Sequence, residues 1–290
     1  MRNETEIKNL ILDFAQHDIR VRAVLLNGSR ANPNIKPDLL QDFDIVFLVD
    51  DLESFTIDHS WTNIFGEQII SQLPGEMTFG DENCNKEKIS FTYLMLFKDS
   101  NRIDLTLFPK QKLQPDFKPD SLTILWLDKD NLFTSLPKSS DKDYHIQKPS
   151  EKDFADTCNE FWWVSTYVAK GLLRNEIIYA KESLETVVRP MLMKVLKWKV
   201  GIENNFGVSF GKSGKFLKSY LSDNLYKKLL LTYSNSETEE NWKALFLMTE
   251  IFQETSDSIA EEFGFIVNKK EQQNTIAYLK ELHDRQKDYR

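Results

Sequence analysis

The rhythm of hydrophobic positions changes near residue 150. Before that point apolar stretches are short, at 21–26, 45–49, 90–97, 103–108 and 122–127. Gly, Pro, Asp and Asn clusters bound them, which predicts five strands. Ile7, Leu10, Ile11 and Phe14 fall on one helical face and predict an opening helix. Ile64, Ile69 and Ile70 predict a further helix between the second and third strands. Residues 97–103 read as a hairpin turn. This half predicts a mixed sheet with flanking helices.

After Lys148-Pro149 the spacing becomes helical almost to the end. Ser150 followed by Asp153 resembles a capping box and predicts a helix running to Gly171 or just beyond. A long helical segment follows over 175–199, bent or split by Pro190. Further helices are predicted over 212–232, 239–263 and 271–286. The fold class is therefore α+β, with an N-terminal sheet domain over 1–148 and an all-helical bundle over 149–290.

Composition narrows the chemistry. The 290 residues suffice for one or two domains, and 41% hydrophobic with 28% charged residues is ordinary globular composition. The formal net charge of -8 argues against a protein that tracks nucleic acid, which must neutralise many phosphates. It is compatible with a cationic small molecule as partner. Two cysteines, Cys84 and Cys158, form neither a disulfide framework nor a zinc pattern, and the four histidines are scattered. No apolar run approaches the roughly 18 residues of a membrane span, and the charged start lacks an apolar signal region. A cytoplasmic monomer is the default expectation.

Two short stretches carry the chemistry. Asn27-Gly28-Ser29-Arg30 closes the first predicted strand, and Asp42-Phe43-Asp44-Ile45 follows after a twelve-residue gap. A strand that ends in Gly-Ser and opens into a helix offers backbone N–H groups and a hydroxyl to a phosphate. Asp42 and Asp44 leave the strand on one face, at roughly 6–7 Å along it, while Phe43 faces the other way. Paired carboxylates repel unless a cation sits between them, and oxygen ligands of this kind suit Mg²⁺. Asp104 interrupts the apolar strand Ile103-Asp104-Leu105-Thr106-Leu107. If that strand neighbours the first pair, three carboxylates converge. Such a group binds metal, orients a nucleotide triphosphate and accepts a proton from an attacking hydroxyl. Each piece alone is common in proteins; the ordered combination is what points to a site.

At these residues the chain resembles the polymerase-β-like nucleotidyltransferases, whose signature is Gly-Ser or Gly-Gly, a gap of about nine to thirteen residues, then Asp-hydrophobic-Asp/Glu. More narrowly it resembles the aminoglycoside 6-adenylyltransferases, which modify streptomycin. The matching stretches are Asn27–Arg30, Gln41–Asp44, Asp104–Leu107, Cys158–Trp162, Val164–Val168, Lys170-Gly171 and Arg189-Pro190. The resemblance spans about residues 1–260, and no role is assigned to the tail after about 265. It implies transfer of AMP from ATP to a drug hydroxyl, with pyrophosphate leaving and the active site in the cleft between the two domains. Asp42 and Asp44 are then the catalytic metal ligands. Asp104 takes the third-carboxylate place, as ligand, general base or both. Gly28, Ser29 and Arg30 contact the phosphates.

The helical half adds two candidates. Residues 207–213 are one residue short of a Walker A loop and no strand precedes them, so that reading is rejected. Lys212 and Lys215 nevertheless sit in a Gly-Lys-x-x-Lys-Phe stretch that recurs in the resembled family, where they would reach the β- and γ-phosphates. On the helix after Ser150, Phe154, Cys158, Phe161, Val168 and Leu172 form a core stripe. Asp153, Asp156, Glu160, Trp163 and Tyr167 form another face, and acids interleaved with rings suit a polycationic sugar. Glu160 and Trp163 are the substrate-binding candidates there; Asp153 and Asp156 read as a solvated face. The expected function is adenylylation of an aminoglycoside, with the 6-hydroxyl of streptomycin as acceptor. The alternatives are a nucleotidyltransferase with another hydroxylated acceptor and a catalytically silent nucleotide-binding protein of the same fold.

Overall fold

The computed structural model describes residues 1–77, 89–113 and 119–289. Cys84 lies outside the described residues. The chain divides into two compact units, Met1–Asp143 and Tyr144–Arg290.

The first unit opens with helix α1, Glu4–His17. Asn3 and Glu6 form a reciprocal capping box at its start, satisfying two backbone donors that would otherwise lack helical partners. Ile7, Ile11 and Ala15, spaced by four, are buried. Six strands follow: β1 Val21–Asn27, β2 Phe43–Val49, β3 Gln68–Gln72, β4 Phe91–Phe97, β5 Arg102–Pro109 and β6 Thr123–Asp128. A short helix, α2 Glu53–Thr56, lies between β2 and β3. The strands form one sheet in the order β3-β4-β5-β2-β1-β6. β2 and β5 pair parallel; the other described pairs are antiparallel, so the sheet is mixed as expected.

Alternation along β2 sets up the site. Phe43, Ile45, Phe47 and Val49 are buried in the core that also takes in Ile7, Ile11 and Ala15. Each large apolar side chain so buried contributes about 1.5–3 kcal/mol. With those positions fixed inward, the period of two sends Asp44 to the opposite face.

One expectation for this unit is corrected. Ile64, Ile69 and Ile70 do not share a helix. Ser60–Phe65 makes a 3-10 helix, and Gly66 at φ +126 ends it. Ile69 and Ile70 then enter β3, an edge strand, where both are exposed. An exposed edge lacks the alternation by which the other strands announce themselves.

The second unit is helical: α3 Glu151–Leu173, α4 Ile177–Ser183, α5 Arg189–Glu203, α6 Leu217–Tyr220, α7 Asp223–Leu231, α8 Thr238–Phe263 and α9 Lys269–Tyr289. The Ser150 hydroxyl caps α3, accepting from the Asp153 N–H at 3.1 Å. A π-helical turn over Leu184–Val188 joins α4 to α5 and absorbs the strain of Pro190, which falls at the start of α5. The Arg189 guanidinium is buried beside that turn and donates to Glu185 and to the hydroxyl and carbonyl of Thr232. The core is aromatic. Phe161 of α3 stacks on Phe252 of α8 with ring centroids 3.7 Å apart, and Trp162 meets both edge-on.

The helix expected over 212–232 is broken. Gly211, Ser213 and Gly214 all carry positive φ, and Ser222 caps a fresh start, so a 3-10 turn and two short helices replace one long one. Among the described residues no helix is long and apolar enough to cross a membrane.

Candidate active site

Strand directions decide where the chemistry gathers. β1 runs antiparallel to β2 and β2 parallel to β5, so the end of β1 lies beside the beginnings of β2 and β5. That edge carries Gly28-Ser29, Asp42, Asp44 and Asp104. The register is explicit: Asn27 pairs with Asp44, and Asp44 with Asp104. The two acids therefore stand side by side on neighbouring strands, on the face away from the Phe43–Ile45 core.

The turn after β1 is shaped around Asp44. Gly28 adopts φ +73, a region that an L side chain rarely enters, and its N–H donates to the Leu122 carbonyl at 3.1 Å. A Cβ at Gly28 would lie 2.1 Å from Asp44 Oδ2. Only a glycine lets the carboxylate approach the backbone so closely. Ser29, half-buried, opens the 3-10 helix Gly28–Ala31. The Gln41 side-chain amide reaches its carbonyl at 3.4 Å.

Arg30, expected to contact phosphate, is engaged by the loop before β2 and by Glu4. Its guanidinium donates to the carbonyls of Gln41 at 2.7 Å and Asp42 at 3.2 Å, and pairs with Glu4 at 3.2 Å. It lies 3.7 Å from the Phe43 ring centroid, and the side chain is only 7% exposed. Burial pulls its basicity below the usual arginine range, against the pull of Glu4, Asp38 and Asp42. With its donors held by the loop backbone, Arg30 braces the segment that delivers Asp42.

Asp104 is engaged by a residue that sequence reading left in a turn. Arg102 Nε and Nη2 each donate to an Asp104 oxygen at 2.7 Å, a two-pronged fork. Arg102 Nε also stands 3.7 Å from Asp42 Oδ2. Its basicity is raised, chiefly by the fork to Asp104, with the charges of Asp42 and Asp44 adding to it. Among the described residues no three His, Cys, Asp or Glu side chains gather as a metal site on their own. The strands do neighbour one another, but the Asp104 carboxylate is held by the guanidinium two positions before it. A residue two places away on a strand projects from the same face, which was the available signal for Arg102.

The helical-unit candidates lie on separate elements. Glu160 and Trp163 sit one turn apart on α3, and both are exposed. Trp163 Nε1 donates to the Tyr167 hydroxyl at 2.6 Å, tying the rings together. On the same helix Asp153 pairs with Lys194, and Asp156 with Lys152 at 2.6 Å. Lys212 and Lys215, also exposed, flank the 3-10 turn Lys212–Gly214.

The donor set suits a hard cation. Asp42 and Asp44 offer only carboxylate oxygens, and Gly28 leaves room for one of them close to the turn, where a nucleotide's own phosphates and waters could complete a Mg²⁺ shell.

Comparison with known proteins agrees over nearly the whole chain. A family model described as streptomycin adenylyltransferase matches residues 1–282. An aminoglycoside 6-adenylyltransferase of Campylobacter jejuni is 43% identical over 260 residues, 90% of this chain and 89% of that protein. One from Bacillus subtilis (strain 168) is 41% identical over 267 residues, 91% of this chain and 93% of that protein. A crystal structure of an aminoglycoside 6-adenyltransferase from Bacillus subtilis, at 35% identity, covers 98% of this chain and 99% of its own, with a TM-score of 0.48.

Proposed function

The chain belongs to the streptomycin adenylyltransferase family, and from that premise we propose that it transfers AMP from ATP to the 6-hydroxyl of streptomycin, inactivating the drug. The hydroxyl oxygen bonds to the α-phosphorus, the bond from that phosphorus to the β-bridging oxygen breaks, and pyrophosphate leaves. The hydroxyl proton must pass to a base.

The observation that carries this reading is the close set of Gly28, Asp44 and Asp104 at one sheet edge. Catalysis of phosphoryl-type transfer is mainly positioning and charge stabilisation, and a rigid carboxylate beside a phosphate-binding turn suits both. Ser29 and the N–H groups around it receive phosphate oxygens. Asp42 and Asp44 hold Mg²⁺, with Asp104 adjoining them. A divalent cation held by these residues would supply charge neutralisation for the triphosphate and its leaving group. Asp104 is the nearest candidate to take the hydroxyl proton, and its fork with Arg102 fixes the carboxylate's orientation. Lys212 and Lys215 are read as cations for the β- and γ-phosphates, and Glu160 and Trp163 as the drug-facing pair. The sheet unit is read as the nucleotidyltransferase domain and the helical unit as the substrate-binding domain. Because the donor is ATP, the cytoplasm is the setting in which the enzyme works, as a monomer.

Mass spectrometry of streptomycin incubated with the protein, ATP and Mg²⁺ tests the reading. An added AMP on the drug, absent with Asp44→Ala, is expected. Unmodified streptomycin alongside a different modified aminoglycoside would move the acceptor; no modified drug from a broad panel would overturn the proposal.

A further inference from the structure

Arg102 has no part in the adenylyl transfer as drawn so far beyond its grip on Asp104, yet its surroundings ask more of it. Three carboxylates crowd the beginnings of β2 and β5. Asp44 and Asp104 are in register on adjacent parallel strands, whose spacing is about 4.8 Å, and Asp42 lies two residues before Asp44. Like charges at such separations repel. Among the described residues, the Arg102 guanidinium reaches into the group, gripping Asp104 with two nitrogens and standing 3.7 Å from Asp42. It also responds to the charge of Asp44. Its side chain is 42% exposed, so nothing encloses it in that position, unlike the buried Arg30.

We propose that Arg102 is a positioning residue, an internal counter-cation that holds Asp104 and Asp42 together before nucleotide arrives and opposes the binding of a divalent cation to these carboxylates in the absence of nucleotide. A divalent cation would then bind together with the triphosphate, whose added negative charge outweighs the guanidinium. This inference rests on the reading of Asp42 and Asp44 as the metal site. Its logic is electrostatic. A fixed positive charge within about 4 Å of two ligand oxygens lowers the affinity of the group for a second cation, and removing it raises that affinity.

The test is Mn²⁺ binding to the nucleotide-free protein, followed by electron paramagnetic resonance of free Mn²⁺. Arg102→Gln should bind Mn²⁺ about tenfold more tightly than wild type, the scale of one nearby charge in a half-exposed site. Structural damage would weaken binding, so a gain distinguishes the proposed role from a purely structural one. Arg102→Lys, which keeps the charge, should stay near wild type. In parallel, Arg102→Gln should melt lower than wild type in EDTA and recover with Mg²⁺, while wild type shifts little. Arg102→Met carries the same expectations if the glutamine variant does not fold. Unchanged or weaker Mn²⁺ binding in the neutral variants would overturn the counter-cation role, as would equal tightening by Arg102→Lys. The double variant Arg102→Gln/Asp44→Asn separates the two levels. Loss of Mn²⁺ binding there, read as a return of the free-ion signal, places the ion on the carboxylates, whereas binding as tight as in Arg102→Gln alone would overturn the metal site itself, and this inference with it.

Discussion

Replacing Gly28 with alanine is the most direct test of the cradle around Asp44. Two costs arise. The backbone sits at φ +73, where an L residue loses about 1–2 kcal/mol. The new methyl would also lie 2.1 Å from Asp44 Oδ2. The carboxylate must retreat by about 1 Å to reach the closest contact that real Cβ atoms tolerate, and a displacement of that size at a reacting centre costs about 10²-fold in rate. Gly264 supplies the control. It caps α8 at φ +70, in nearly the same conformation, but a Cβ there meets nothing within 4 Å. Gly264→Ala should carry the backbone cost alone. Both variants should lose about 2–4 °C in Tm per kcal/mol, while only Gly28→Ala loses turnover. The assay is pyrophosphate release with ATP and streptomycin, beside thermal melts of the same samples. If the two variants lost turnover equally, or if Gly28→Ala melted far lower and kept its rate, the idea that Gly28 exists to admit the Asp44 carboxylate would be refuted.

Lys212→Ala and Lys215→Ala should raise the KM for ATP more than they lower kcat, because both remove a cation assigned to the departing pyrophosphate; steady-state kinetics over an ATP series reads the split, and a change confined to the drug's KM would reassign the loop. Glu160→Gln should weaken streptomycin binding by calorimetry, but only by about 0.2–1 kcal/mol, since Glu160 is exposed and an open ion pair is screened. Added salt should erase most of that difference, and equal affinity at low salt would remove Glu160 from the drug's contacts. Asp99, in the turn between β4 and β5, is held well below the usual carboxylate range, chiefly by the side-chain hydrogen bond from Arg2, whose Nε lies 2.6 Å away. A carboxyl with a lower pKa folded than unfolded stabilises the fold above about pH 4 and loses that contribution as pH falls. Asp99→Asn should therefore lower the melting temperature at neutral pH and flatten its decline below about pH 4; a decline as steep as wild type would place the acid sensitivity elsewhere.

Legibility followed physical signal. β4 and β5 could be read because one face of each is buried and burial of one face writes a period of two, while β1 shows as a short run buried on both faces. β3 could not, because Ile69 and Ile70 face outward at an edge and no core constrains their order. α3 and α8 are each long enough to show a stripe, and the Ser150 cap marks where one begins. The segment 212–232 kept helical spacing while Gly211, Ser213 and Gly214 took left-handed conformations, which spacing alone does not reveal. Gly28-Ser29 and Asp42-Phe43-Asp44 were legible because their chemistry depends on adjacency in the chain.

The two arginines show where adjacency stops being informative. Arg30 sits one residue from the Gly-Ser turn, and Arg102 lies in what reads as a hairpin turn; from sequence, the first looks like a phosphate contact and the second carries no assigned role. The fold gives each a set of partners that local order does not show. Arg30 becomes buried because the loop preceding β2 returns across the 3-10 helix and presents the carbonyls of Gln41 and Asp42, acceptors that need a donor once water is excluded. Arg102 becomes part of the acidic group because β5 pairs parallel to β2 in a register that sets Asp104 against Asp44, and a strand carries its second neighbour on the same face. Both outcomes depend on pairings between residues far apart in the chain. A site of this kind therefore has two layers. The carboxylates and the glycine can be read from local order, whereas the cations that hold them in place become visible only when the strand register is known.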